Sequence, residues 1–275
     1  MKTWLITGAS TGFGRQLAET VLQHGDQCVL TARRPEQLAD LVSRFADRAI
    51  ALPMDVTQPA QIAPVFAAAR ERFDALDVVV NNAGYGLLAA LEETDDARLA
   101  RNLETNLVGP LRVMRAAIPI MREQKRGHII NMSAIAAFAN ELGFAVYGAA
   151  KAGLEAASEA VAGECAPFGI RVTVVVPGPF RTDFIVRSLD VAPRLPEYAN
   201  TVGKFESFLT RINGKQPGDP IRAAEAIYQI AGVEKPPFRL VLGKYAHDKF
   251  AKKLGLLGAE LEAWKSLGLP TDFPA

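Results

Sequence analysis

The sequence is poor in the residues that staple or metallate a fold. Its 275 residues include two cysteines, Cys28 and Cys165, and three histidines, His24, His128 and His247. Two distant cysteines make no disulfide framework, so a reducing compartment, the cytoplasm, is the expectation. The histidines are dispersed and lack the spacing of a metal-ligand set, so no metal is expected. Charge of one sign is also missing, because 31 Lys and Arg face 30 Asp and Glu, a net charge of +1. That balance excludes a basic nucleic-acid footprint. No apolar run reaches the length of a membrane span, and the apolar part of Met1–Thr7 is too short for a signal peptide. No repeat, low-complexity tract or linker interrupts the chain. With 49% hydrophobic and 22% charged residues, it reads as one folded domain over 1–275.

What is present is a rhythm of short apolar blocks and longer amphipathic stretches. The blocks Trp4–Thr7, Gln27–Ala32, Ala49–Met54, Val78–Asn81, His128–Asn131, Arg171–Val176 and Arg239–Leu242 show little period-two alternation. Strands buried on both faces of a parallel sheet read this way. Helices are expected over Gly14–His24, Pro59–Arg72, Asp95–Gln124 and Tyr147–Phe168, the last broken by Pro167 and Gly169. Strand–helix alternation with short connections implies an α/β fold with a doubly wound parallel sheet of about seven strands. The segment 183–220 breaks the rhythm after a strand end and reads as an irregular lid. The tail 245–275 reads as a helix or two with a Pro-rich end.

Thr7-Gly8-Ala9-Ser10-Thr11-Gly12-Phe13-Gly14 follows the first strand and opens a helix. Glycines there let the backbone turn sharply and approach a pyrophosphate, which the helix N-terminus then faces. Where an NAD site would place an acidic residue, after the second strand, the chain has Arg33-Arg34. Two guanidinium groups suit a 2′-phosphate, so NADP(H) is preferred and NAD(H) remains open. A solvated basic pair opening a helix is the alternative. Asp55-Val56 ends the third strand, placed for the adenine, although Asp55 also suits a turn or a cap.

Tyr147 and Lys151 stand at i and i+4, on one helical face. A phenol titrates near ~10, too high for proton exchange at neutral pH, and a nearby cation lowers that value. Ser133 lies fourteen residues before Tyr147, just past a strand end, where its hydroxyl can meet a substrate oxygen.

Thr7–Gly14, Asn81-Asn82-Ala83-Gly84, Ser133, Tyr147-x-x-x-Lys151 and Pro177-Gly178-Pro179 occur in this order at strand ends. In this the chain resembles the short-chain dehydrogenase/reductase family, compact type, over roughly Lys2 to Gly243. A closer similarity to its 17β-hydroxysteroid-dehydrogenase-like branch rests on Thr31-Ala32-Arg33-Arg34 and on the tail. The resemblance implies a Rossmann-type fold and NAD(P)-linked alcohol–carbonyl interconversion. It makes Tyr147 the acid/base, Lys151 its electrostatic partner and ribose ligand, and Ser133 the donor to the carbonyl oxygen. Asn106 matches the asparagine of a proton relay, with Asn102 one turn away. Asn82, with Ala83 and Gly84, secures the central strand beside the cofactor, and Thr182, after Pro177 and Gly178, holds the carboxamide. Arg33 matches a position associated with NADP(H), whereas Thr11 stands where some NADP(H) members carry a basic residue.

The Tyr-to-Lys spacing excludes an enoyl reductase of related fold. A cofactor-binding sensor without turnover is the rival, disfavoured because all four catalytic groups are present. The expected partners are a small carbonyl or alcohol and further copies of the chain, as homodimer or homotetramer. Apolar residues of 183–220, namely Phe184, Ile185, Val186, Leu189, Leu195, Tyr198, Phe205, Phe208 and Leu209, suggest a bulky apolar substrate. Simple packing of the lid is the alternative. Tyr85–Leu88 and Ile135–Phe144 are expected to rim the same pocket.

Overall fold

The computed structural model describes residues 1–273. In chain order the elements are β1 (Thr3–Ile6), α1 (Gly12–Gln23), β2 (Gln27–Ala32), α2 (Ala39–Arg44), β3 (Ala49–Pro53), α3 (Pro59–Phe73) and β4 (Val78–Asn81). There follow β5 (Gly86–Leu88), α4 (Asp96–Leu103), α5 (Gly109–Gln124), β6 (Gly127–Met132), α6 (Ala145–Cys165) and β7 (Ile170–Pro177). The last third holds α7 (Phe184–Arg187), β8 (Leu189–Val191), α8 (Val202–Ile212), α9 (Pro220–Ile230), β9 (Arg239–Leu242), α10 (Lys244–Ala263) and α11 (Lys265–Gly268).

Seven strands form one sheet in the order β3-β2-β1-β4-β6-β7-β9, with every pairing parallel. The chain winds outward from β1 through β3, then returns to place β4 on the other side of β1. This switch point leaves a crevice beyond the C-terminal ends of β1 and β4, where ligands bind in such sheets. The seven strands expected from the apolar blocks are those of this sheet. One face packs under α1 and α9 through residues such as Trp4, Leu17, Val21 and Ile227. The other packs under α3, α5 and α6 through Val79, Val113, Met114 and Leu154. Burial from both sides explains why these strands carry no polar alternation.

Three expectations need correction, and one helix went unread. Asp95–Gln124 is two helices, α4 and α5, joined by a π turn over Glu104–Val108. The segment 183–220 is not irregular, because it carries α7, β8 and α8 before α9 opens at Pro220. β8 pairs in parallel with β5, register Gly86↔Leu189 to Leu88↔Val191, so Gly86-Leu87-Leu88 are buried strand residues. Three-residue strands give too little pattern to read. The unread helix is α9, where Asp219 caps through the Ile221 N–H at 2.8 Å with Pro220 at the first helical position. That start signal stood in the sequence unread.

Candidate functional site

The C-terminal ends of β1, β4, β6 and β7 open onto a cavity of about 980 Å³. The glycine loop forms one end. Gly8 and Gly12 have φ of +63° and +55°, a left-handed conformation that favours glycine. A side chain at Gly8 would begin 2.9 Å from Ala83 Cα. The loop is tied to β4 by Asn82, whose Nδ2 donates to the carbonyls of Thr7 (2.9 Å) and Gly8 (3.1 Å). Thr7 Oγ1 accepts from the N–H groups of Asn82 and Ala83, both at 2.9 Å. Sequence reasoning placed Thr7 at the strand end and the head of the glycine loop, and its clamp role is visible only once β1 and β4 are neighbours.

Gly8, Ser10, Thr11, Gly12 and Phe13 line the cavity; Gly14 does not. Gly14 instead lets α1 approach, since a Cβ there would lie 2.3 Å from Asn82 Nδ2 and 2.5 Å from Gly8 O. Arg33 borders the cavity, whereas Arg34 is exposed outside it. Asp55 and Val56 border it too. Asp55 Oδ1 accepts from Thr57 N (2.9 Å) and Oγ1 (2.8 Å), so the turn reading holds at a cavity-lining residue. Asn82, Ala83, Gly84, Pro177, Gly178 and Thr182 complete the expected cofactor wall.

Tyr147, Lys151, Ser133 and Asn106 all reach the same cavity. α6 holds the first two, both buried, with the ammonium 5.9 Å from the phenol ring centroid. Lys151 Nζ donates to Met132 O, the last carbonyl of β6, at 2.8 Å. Asn106 sits in the π turn, and its Nδ2 donates to Tyr85 O (2.9 Å) and Asn102 O (3.1 Å). Asn102 supports the same Tyr85 carbonyl at 3.2 Å. Gly84 lies between these groups. A Cβ on it would stand 2.6 Å from Asn106 Oδ1 and 3.3 Å from Lys151 Nζ.

Burial opposes charge on both members of the pair. It pushes the Tyr147 phenol well above its ordinary value and Lys151 down to about 8. The cavity therefore favours a ligand that brings its own positive charge beside the phenol. An oxidised nicotinamide fits that demand, and the glycine-cleared approaches at Gly8 and Gly84 fit a dinucleotide backbone.

Ser133 differs from its expected arrangement. Its Oγ donates to Glu155 Oε1 at 2.8 Å, and Arg239 Nε donates to Glu155 Oε2 at 2.9 Å. To act as a donor to a carbonyl oxygen, the Ser133 O–H must swing away from Glu155. Glu155 was not singled out from sequence, yet the signal was available. Residues 147, 151 and 155 repeat at i+4 along α6 and share one stripe.

Phe184, Ile185, Leu189, Phe205, Phe208 and Leu209 reach the cavity from 183–212, but Val186, Leu195 and Tyr198 do not. Only Tyr85 does so from Tyr85–Leu88, and Ile135, Ala136, Glu141 and Phe144 do so from the loop after Ser133. Phe144 meets Tyr147 and Phe205 edge-on, each at 5.4 Å between centroids. Tyr245 of α10 also lines the cavity, and its hydroxyl donates to Glu141 Oε1 at 2.7 Å.

Comparison with known proteins agrees with this geometry. The family model described as short chain dehydrogenase matches residues 2–190. An oxidoreductase of Botryotinia fuckeliana is 37% identical over 269 residues, 98% of each chain. A 3-ketodihydrosphingosine reductase of Bacteroides thetaiotaomicron is 31% identical over 250 residues, 90% of each. Among solved structures, a short-chain dehydrogenase from Streptomyces avermitilis superposes with a TM-score of 0.93 at 42% identity, covering 99% of this chain and 100% of that one. A serine dehydrogenase complexed with NADP+ gives 0.75 at 25% identity, covering 87% and 94%.

The buried ammonium makes a stability prediction. Lys151 falls from an ordinary 10.5 to about 8 in the folded chain, so below pH 8 folding carries a buried charge. The shift corresponds to about 3 kcal/mol. Because the unfolded chain binds the extra proton between about pH 8 and 10.5, this penalty fades as pH rises through that window. Lys151→Met is expected to raise Tm by several degrees at pH 7, with the gain shrinking towards pH 10. Thermal melts from pH 7 to 10 check it, and a Tm difference independent of pH contradicts it.

Proposed function

The chain belongs to the short-chain dehydrogenase/reductase family, and from that premise we propose an NADP(H)-dependent oxidoreductase that interconverts a secondary alcohol and a ketone or aldehyde, with a bulky apolar substrate. The observation that carries the reading is the burial of Tyr147 and Lys151 together at one cavity with the glycine loop. When bound, the nicotinamide supplies or accepts the hydride. Tyr147 gives a proton to the substrate oxygen in reduction and takes it in oxidation. Lys151, fixed by Met132 O, favours the phenolate and lies where a ribose hydroxyl can reach it. Ser133 meets the substrate oxygen on the other side, its hydroxyl rotating between Glu155 and that oxygen. Asn106 holds the Tyr85 carbonyl beside Gly84 and keeps the floor open for a water-linked path to Lys151.

Arg33, at the cavity border, supports the reading of a 2′-phosphate contact, and Arg34, outside the cavity, adds only long-range charge. Segment 183–212 acts as the substrate lid. Its aromatic face favours an apolar substrate, and the keto group in the name of the Bacteroides relative favours a ketone as the carbonyl form. We also assign a cytoplasmic location and a homo-oligomer. Among the described residues no helix is long and apolar enough to cross a membrane.

NADPH oxidation across a carbonyl panel tests the reaction, and cofactor binding without turnover on any member would favour the sensor instead. Tyr147→Phe is expected to lower kcat by ~10²- to 10⁴-fold while leaving NADPH affinity nearly intact. Retention of a large share of the activity by the folded variant would remove Tyr147 from its role.

Arg33→Asp is expected to erase or reverse the NADPH preference, lowering kcat/KM for NADPH about ten- to a hundredfold. Equal kcat/KM for NADPH and NADH in the wild type contradicts the cofactor assignment.

Along a homologous methyl-ketone series kcat/KM is expected to rise with chain length until the cleft fills, each CH₂ contributing up to ~0.8 kcal/mol. Phe205→Ala is expected to flatten the rise more than it lowers activity on the smallest ketone. A flat wild-type series, or preference for polyols, leaves the lid aromatics as packing.

A further inference from the structure

α10 begins on the domain and ends off it. Ala246 is fully buried, and Phe250 stacks on Phe138 at 4.0 Å between centroids. Beyond Phe250 the helix leaves the body. Leu254, Leu257, Leu261 and Trp264 are 52%, 39%, 77% and 65% exposed. With Phe250 they are spaced by four, three, four and three residues. This is the a/d spacing of a two-helix coiled coil, about two heptads long, and its outer side chains are exposed among the described residues. Apolar side chains in such a row favour a partner helix over water.

The charges beside the seam say which helix. Lys253 and Glu260 precede the seam residues Leu254 and Leu261, the two equivalent flanking positions. The tail's ion pairs are Lys244–Asp248, Lys249–Glu141 and Lys265–Glu262. These leave Lys253 and Glu260 unpaired among the described residues. Antiparallel pairing of two copies, with the two-fold axis between Gly255 and Leu256, sets Leu254 against the partner's Leu257 and Leu261 against the partner's Phe250. The same register brings Lys253 opposite the partner's Glu260, twice by symmetry. On the other flank it places Ala251 opposite the partner's Gly258. A Cβ at Gly258 would meet nothing within 4 Å among the described residues, which leaves room for close approach. Parallel pairing would instead face Lys253 with the partner's Gly258. It would also bring Glu260 to the partner's Lys265, which lies past the break of α10 at Trp264.

We propose that the outer half of α10 is a self-association arm, which docks antiparallel on the same arm of a second copy of this chain. The proposal is independent of the catalytic reading.

The test is a disulfide trap in the full-length protein. Residues 253 and 260 of one chain are two helical turns, about 10 Å, apart, beyond disulfide reach. The native Cys28 and Cys165 are buried. Oxidised Lys253→Cys/Glu260→Cys protein is therefore expected to run at twice the 29.6 kDa chain mass and to return to single-chain mass on reduction. A control of equal spacing on the outer face, Lys252→Cys/Ala259→Cys, is expected to stay single-chain. Because the trap reads the arm alone, contacts elsewhere between copies do not affect it. Cross-linking no greater than the control, or a ladder of higher species, overturns the proposal. A charge swap gives the second measurement, by sedimentation equilibrium. Lys253→Glu is expected to weaken association roughly 2- to 30-fold, the effect of two exposed ion pairs, and adding Glu260→Lys is expected to restore it. Weakening without restoration excludes the antiparallel register. Binding of the wild type to anionic phosphatidylserine vesicles, with no cross-link in the trap, would assign the apolar row to a lipid surface and overturn the proposal.

Discussion

The arrangement around the cavity depends on one buried amine. Lys151 carries a group that water would hold more favourably, and its strong protein contact is the terminal carbonyl of β6. That hydrogen bond fixes α6 in rotation and in height against the sheet. Tyr147 then stands one turn before the amine and Glu155 one turn after it, all on the face turned to the strand ends. Ser133, the first residue past β6, falls within reach of Glu155. Two proposed catalytic groups thus take their positions from a single strand–helix junction. The burial that lowers Lys151 also raises Tyr147. The pair is poised against charge until a cationic partner shares the site, which is how a low-dielectric site strengthens each electrostatic contact within it.

The other half of the floor adapts to that amine. Gly84 lies within a side chain's length of both Lys151 and Asn106, so the loop after β4 passes beneath them only as bare backbone. Asn106 reaches the loop because the helix widens into a π turn there. Such turns are uncommon and recur at functional sites. A regular helix from Asp96 to Gln124 would advance about 100° per residue without interruption and carry Asn106 away from the Tyr85 carbonyl. Thr7 does for the glycine loop what Asn106 does for the floor, binding two consecutive N–H groups beyond β4.

The parts legible in the sequence are those set by local pattern. Strands buried on both faces appear as unbroken Val, Ile and Leu, and all seven strands of the main sheet were readable for that reason. Tyr147 and Lys151 were readable because helical spacing alone puts them on one face. What escaped is what distant segments decide. β5 and β8 are three residues each and exist only through each other. The π turn has no residue signature, since Glu104–Val108 reads as ordinary helix. Arg33 and Arg34 are equivalent by residue type alone, and the turn after β2 sends just the first towards the cavity. Glu155 shares the stripe of Tyr147 and Lys151 in the sequence, but its partners Ser133 and Arg239 are brought to it from 22 and 84 residues away.

The wall facing the proposed proton donor is assembled by the same logic of small residues. Gly86 opens β5, and a Cβ there would lie 2.7 Å from the Phe184 ring and 2.8 Å from Leu189. Its bareness lets α7 and β8 settle against β5 and brings Phe184 to 6.1 Å from the Tyr147 ring. From the other side Phe144 approaches Tyr147 and carries Phe205 of α8 on its far edge. The phenol is therefore flanked by aromatic rings from two segments that meet only in the fold. Rings so placed exclude water from the phenol, which sustains its raised pKa without a bound ligand. On the proposed reading they also define a slot that a flat or extended apolar molecule fills better than a polyol, because a hydroxyl entering it would lose its water with few donors or acceptors to replace it. On that reading the contacts that set the acidity of Tyr147 also select what reaches it.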